Sequence, residues 1–248
     1  MMLKQLQCAA VALMMLATGA AIAKTAAPAM DLTIYHVEGR RSERIVWVCE
    51  ELGIPYKLEY KRGDLAGSIK TIREVSPLMP VAPTVSIYGQ TMVESGAIIQ
   101  LILAREGKGR LEPAVNSPDY GYYLQWMHFA EGSFAARVIG DYRVALIQGK
   151  PKTPTGGYKF VDTEAVLIFM EDFLSKHPYF GGTNFSAADI MMLFPTNLTE
   201  AFNVADLTPY PHVTAWRTNV ESRPAYKKML SVARPDGVPG APKPLPKT

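Results

Sequence analysis

Apolar positions change their period along the chain, and each change marks an element. Asp31 to Val37 (DLTIYHV) alternates apolar with polar residues and is rich in β-branched and aromatic side chains, which predicts a strand. Ser42 to Leu52 (SERIVWVCEEL) places Ile45, Val48, Cys49 and Leu52 on one helical face, with Ser42 as a candidate N-cap and Gly53 as the residue that ends the helix. Pro55 to Tyr60 reads as a second strand, parallel to the first because a helix joins them. Asp64 to Val75 is a weaker helix. Pro83 to Tyr88 and Thr91 to Val93 form an antiparallel pair through Gly89-Gln90, and a helix opens at Glu94-Ser95 and runs to about Arg105. The predicted order is β-α-β-α-β-β-α.

Glu106 to Pro118 concentrates glycine, proline and charge and marks a boundary; beyond it the pattern is entirely helical. Pro118 to Ile147 is long enough for a bent helix, with Gly132 and Gly140 as bending points. Gln148 to Gly157 is a turn-rich link to a helix over Phe160 to Lys176. Ser186 and Asp189 have the spacing of a capping box, with Phe185 placed for a hydrophobic staple. Pro195 should kink or split the following helix near Leu193. Helices over His212 to Ser222 and from Pro224 onward complete the pattern, and the Pro/Gly-rich tail from Arg234 to Thr248 should be extended, mobile and outside the core. These boundaries divide the chain into an α/β domain over 31–106, an all-α domain over 116–230 and a disordered tail over 234–248.

The first residues are of another kind. Lys4 precedes an apolar run from Cys8 to Ala23 that ends in Ala-Ile-Ala, the form of a secretory signal peptide over 1–23, and the run is shorter than the roughly 20 residues a membrane span needs. This predicts an exported protein, in a bacterium a periplasmic one, with no membrane contact once the signal is removed. Cys49 is then the remaining cysteine, so an intramolecular disulfide is excluded and the fold must rest on burial. A formal net charge of +3 argues against nucleic acid as partner. His36 and His128 lack partners at metal-ligand spacing, so no metal is assigned.

The chemistry concentrates between Val81 and Gln100. Pro83 opens a strand, where its missing N–H is tolerated and a cis bond would leave neighbouring backbone groups free for a ligand. Glu94 and Ser95 open a helix, whose free N–H groups and dipole favour an anion. A strand-starting proline and a plain N-cap serine account for the same residues without a ligand. The combination of Ala82-Pro83-Thr84-Val85 with Glu94-Ser95-Gly96-Ala97-Ile98 resembles the glutathione-binding signature of glutathione S-transferases. Phe185 to Ile190, Asp206 to Val213, Trp216 and Arg223 to Tyr226 are similar to motifs of that family's helical half, so the resemblance covers about Asp31 to Leu230. It implies a thioredoxin-like N-terminal domain followed by an all-α domain, and glutathione as co-substrate. Its implied glutathione-binding residues are Val81, Ala82, Pro83, Glu94 and Ser95, with the backbone before a cis-Pro83 holding the cysteinyl part and Glu94-Ser95 the γ-glutamyl group.

Two departures from the family pattern bear on activity. Conjugation needs a thiolate, hence a hydrogen bond to sulfur and a positive local potential. The family's usual serine or cysteine position falls on Gly39, and Arg40 replaces another serine. Tyr35 and Ser42 remain as candidate catalytic donors, although a packed strand tyrosine and a simple cap would look the same, and Arg40 and Arg41 are candidates for raising the potential or binding a carboxylate. Pro77 and Pro83 enclose Leu-Met-Pro-Val-Ala, one residue more than usual and without Lys or Gln, so no side chain there serves the glycyl carboxylate. Tyr123, Trp126 and Met127 share a helical face and are candidates for the pocket of a hydrophobic electrophile, or simply for core. The resemblance implies a homodimeric transferase acting on small electrophiles. An exported, non-catalytic binding protein of the same fold is the first alternative and a glutathione-dependent peroxidase or reductase the second.

Overall fold

The computed structural model describes residues 30–149, 162–238 and 244–245. The expected signal peptide lies outside the described residues. Four short strands make one mixed sheet in the order β2-β1-β3-β4. β1 (Thr33–Tyr35) runs parallel to β2 (Lys57–Glu59) and antiparallel to β3 (Thr84–Ile87), which turns back into β4 (Gln90–Val93). Ile34 and Val85 are opposite each other at its centre, both fully buried. α1 (Glu43–Leu52) supplies the parallel crossover, and Gly53 ends it in the left-handed conformation expected of a terminating glycine. α2 (Leu65–Val75) is capped by Asp64, whose carboxylate accepts from the Gly67 N–H. α3 (Ser95–Ile102) continues into a π-helical segment, Leu103–Gly107.

The capping role expected of Ser42 is not realised. Its hydroxyl turns back into the loop instead: it lies 2.8 Å from His36 Nδ1 and accepts from the Val37 N–H. The buried histidine therefore outcompetes the helix terminus for this side chain.

In the helical half, α4 (Tyr120–Phe129) passes through a π-helical segment, Ala130–Ala135, into α5 (Ala136–Gln148). The irregularity thus includes Gly132, while Gly140 lies within regular α5. α6 (Thr163–Leu174), α7 (Ala187–Ala201), α8 (Pro211–Ser222) and α9 (Pro224–Ala233) follow. The Ser186/Asp189 capping box is present, and Asp189 is more than a cap: it also accepts from the Phe180 N–H and from Trp216 Nε1 at 2.8 Å. Burial pushes its carboxyl up to about 6 against these donors.

Pro195 does not split α7. Its missing N–H has another effect, because it leaves the Met191 carbonyl without its helical partner, and Arg44 Nη2 of α1 donates to that oxygen at 2.5 Å. Tyr123, Trp126 and Met127 are core residues rather than pocket lining. Trp126 is fully buried against Phe173 and Phe180, and Phe180 packs edge-on to Trp216. The competing aromatic rings of α6 and the 180 region take the face that the spacing left open.

The chain finally returns to its beginning. α1 packs on α9, and His36 Nε2 lies 2.6 Å from the Ala233 carbonyl. That carbonyl can only accept, so Nε2 carries the proton and Nδ1 is free to accept from Ser42. Arg223 grips Glu51 with two hydrogen bonds and stacks over Phe185. Residues of the tail do not behave as a free extension. Asp236 accepts two hydrogen bonds from Arg62, Val238 covers Gly39, and buried Leu245 exchanges hydrogen bonds with Phe202 and Asn203. At the described residues of the tail, an apolar leucine and a paired aspartate are held in place where composition alone predicted mobility. Contacts across Asp31–Thr248 make one unit of the two expected domains.

Candidate functional site

The Ala82–Pro83 bond is cis, and the main chain of Ala82 makes no hydrogen bond among the described residues. Thr84 Oγ1 donates to the Val81 carbonyl at 2.6 Å, fixing the bend that brings this backbone to the head of β3. The hairpin then delivers Glu94 with φ of 73°, in a region that non-glycine residues seldom occupy, and Ser95 becomes the first residue of α3. The Glu94 side chain is exposed; Ser95 is buried.

The hydroxyl of Ser95 has a partner that sequence reading missed. Arg44 Nη1 donates to it at 3.0 Å and to Glu131 Oε1 at 2.5 Å, while Nη2 takes the carbonyl that Pro195 leaves free. Arg41 Nε reaches the same Glu131 oxygen at 2.8 Å. Burial draws the Arg44 guanidinium down to about 10, with Glu131 opposing, so it is cationic at neutral pH. Burial pushes the Glu131 carboxyl up, but Arg44 and Arg41 override it and hold it below its ordinary value. Arg41, Glu131, Arg44 and Ser95 therefore form one charged chain leading to the start of α3. Arg44 had a signal in sequence: four residues before Val48, it falls on the face that the apolar pattern assigns to the core. Glu131 had none, since its partners lie 87 and 90 residues away.

On the other side of the arginines opens a cavity of about 570 Å³, lined by the β1–α1 loop, α5, α7, α9 and Val238. Arg40, Arg41 and Arg44 are in its wall, with Arg143 and Arg234. Phe194 projects between the halves, its ring centre 5.0 Å from the guanidinium carbons of both Arg41 and Arg44. Glu43 is also in the wall; burial raises its carboxyl, while Arg234, 3.5 Å away, and the Gly39 N–H oppose that rise.

Neither candidate thiol donor reaches this space. Ser42 is buried in its bonds to His36 and Val37, and Tyr35 sits mid-sheet, paired with Glu59 and Thr84, away from the cavity lining. The position that the family resemblance assigns to a catalytic side chain, Gly39, has φ of 68°, and a Cβ there would approach Val238 Cγ1 to 2.3 Å. Positive potential at the mouth comes from Arg40 and Arg41. Cys49 is fully buried and its thiol is pushed up to about 12, chiefly by burial. Among the described residues no cluster of metal-ligating side chains occurs, and no helix is long and apolar enough to cross a membrane.

A mixed four-stranded sheet with a cis-proline at the head of its third strand, followed by a helical half, is the glutathione S-transferase fold. Comparison with known proteins agrees. Residues 149–224 match the family model "Glutathione S-transferase, C-terminal domain". The chain is 28% identical over 209 residues to glutathione S-transferase 3 of Schizosaccharomyces pombe, spanning 78% of this chain and 84% of that one. It is 24% identical over 205 residues to a disulfide-bond oxidoreductase of Escherichia coli, spanning 82% and 90%. A solved glutathione S-transferase from Actinobacillus pleuropneumoniae superposes with a TM-score of 0.67 at 25% identity, covering 85% of this chain and 95% of that one. Together these findings support the glutathione S-transferase family.

Proposed function

We propose that this protein is a glutathione-dependent transferase that joins the thiolate of glutathione to small, partly apolar electrophiles, and that it acts as an exported, periplasmic homodimer. The observation that carries this reading is the pairing of a cis Ala82–Pro83 bond, where the main chain of Ala82 makes no hydrogen bond among the described residues, with a helix start at Ser95 backed by the Arg44 guanidinium. The first suits an extended peptide and the second an α-carboxylate. The cavity beyond Arg40 and Arg41 then takes the electrophile, and these two cations favour the thiolate over the thiol. Leu78 and Met79, exposed next to each other on the loop before Pro83, are suited to a second copy of the chain.

A binding protein without turnover is the second reading, and a specific observation favours it: Val238 covers the backbone of Gly39, and no side-chain hydroxyl faces the cavity from the β1–α1 loop among the described residues. A peroxidase or reductase that uses a protein thiol is disfavoured by the burial of Cys49. Calorimetric titration with glutathione, followed by an assay of glutathione with an aryl halide, separates the readings. Binding with product formation supports the transferase, binding without product supports the second reading, and absence of both overturns the site.

A further inference from the structure

The head of α3 is backed by the middle of α7, from the helical half of the chain. Met191 meets this region twice. Its carbonyl, which Pro195 four residues on leaves without a helical donor, accepts from Arg44 Nη2 at 2.5 Å. Its thioether sulfur stands 3.8 Å from the Ser95 hydroxyl and accepts from it. Phe194, next to Pro195, holds its ring centre 5.0 Å from the Arg44 guanidinium carbon. The Arg44 side chain is 3% exposed, and its Nε has no hydrogen-bond partner among the described residues. With Nε unanswered, the place of this buried cation depends on what the other two nitrogens find: Ser95 and Glu131 for Nη1, the Met191 carbonyl for Nη2.

We infer that Pro195 is a positioning residue for the γ-glutamyl end of glutathione: by freeing the Met191 carbonyl it fixes Arg44, and Arg44 fixes the Ser95 hydroxyl as a donor toward the ligand carboxylate. This rests on the reading of the Ser95 helix start as the γ-glutamyl site, and it assigns part of that site's affinity to the other half of the molecule. A hydroxyl that accepts from a guanidinium has its own proton turned elsewhere. The acceptor that proton has here is a thioether, a weak one, which a carboxylate replaces with a stronger bond. Any residue other than proline at 195 returns an N–H to the Met191 carbonyl. Arg44 Nη2 then shares or loses its acceptor, and the guanidinium is free to turn toward Glu131, which it already touches. The Ser95 hydroxyl loses its fixed orientation while α7 gains a hydrogen bond. At this position, helix stability and ligand affinity therefore oppose each other.

The test replaces Pro195 by alanine and by glycine in the full chain and titrates the parent and both variants with glutathione by calorimetry, with denaturant unfolding in parallel. Both substitutions return the N–H, but alanine favours a helix and glycine does not. Each variant should bind glutathione about fivefold more weakly than the parent, as the loss of one hydrogen bond's worth of positioning allows. Pro195→Ala should do so with an unfolding midpoint no lower than the parent's, and Pro195→Gly with a lower midpoint than Pro195→Ala. Affinity would then follow the N–H and not the stability, which a merely structural proline cannot produce. Parent affinity in both variants overturns the inference and leaves the glutathione site standing. So does an affinity that falls only together with the midpoint, at parent level in alanine and reduced in glycine, or reduced in an alanine variant that is itself destabilised. A parent chain that does not bind glutathione removes the site, and this role of Pro195 with it.

Discussion

Gly39 shows how one residue can carry the site's departure from the pattern of the family it resembles. Its φ of 68° and its contact with Val238 both exclude a side chain. Gly39→Ser should lower stability by about 1–2 kcal/mol from the left-handed backbone alone, with a further loss from the collision. The same substitution made in a Val238→Gly background should cost less, and denaturant unfolding of the four proteins of this cycle measures the difference. Asp189 is a second such residue. Asp189→Ala strands the Phe180 and Ser186 amides and the Trp216 indole N–H in the interior, so a loss of about 3–5 kcal/mol is expected, well above that of a simple cap. An unfolding midpoint that barely moves would count against that hub. The Ser186/Asp189 pair was legible in the sequence because capping is local. The sequestering of Ser42 was not, since it depends on a histidine held by the far end of the chain.

Among elements, the loop between β1 and α1 is tied to the end of α9 through His36. Burial pulls this imidazole down to about 4 from its ordinary 6.5. The unfolded chain therefore binds a proton between those values that the folded chain refuses, so stability rises with pH from about 4 to 6.5 and is lost on acidification. The share of His36 is about 3 kcal/mol. Asp189, raised by burial, contributes the opposite slope between its ordinary 3.8 and about 6. Subtracting the stability of a His36→Gln variant from that of the parent cancels the aspartate. The difference should shrink by about 3 kcal/mol between pH 7 and 4, whereas a constant difference would refute the titration. The same scale explains what Pro195 does. Arg44→Met removes a cation from a buried pair and leaves the Met191 carbonyl bare, a loss of about 3–5 kcal/mol. In a Pro195→Ala background the restored amide meets that carbonyl, and the cost of Arg44→Met should be about 1 kcal/mol smaller. Element order and the parallel first pair followed from hydrophobic period alone. The continuity of α7 and the course of the tail did not, because each is decided by a side chain from a remote element.

Across the whole molecule, the boundary read at 106–118 is real as a change of architecture but not as a division of the core. Trp47 of α1 packs edge-on against Tyr226 of α9, Tyr60 beside β2 donates to the Val232 carbonyl, and Arg110 of the link donates to the Leu52 carbonyl. A fragment covering residues 31–106 lacks all three of these and should give no cooperative unfolding transition, while the chain from 31 to 248 should unfold in one step; a sigmoidal melt of the fragment would show the halves to be independent. The closing of α9 over α1 also sets an order in time. His36, next to the first strand, is secured by Ala233 of α9, 197 residues later, so a nascent chain that stops short of α9 lacks this contact.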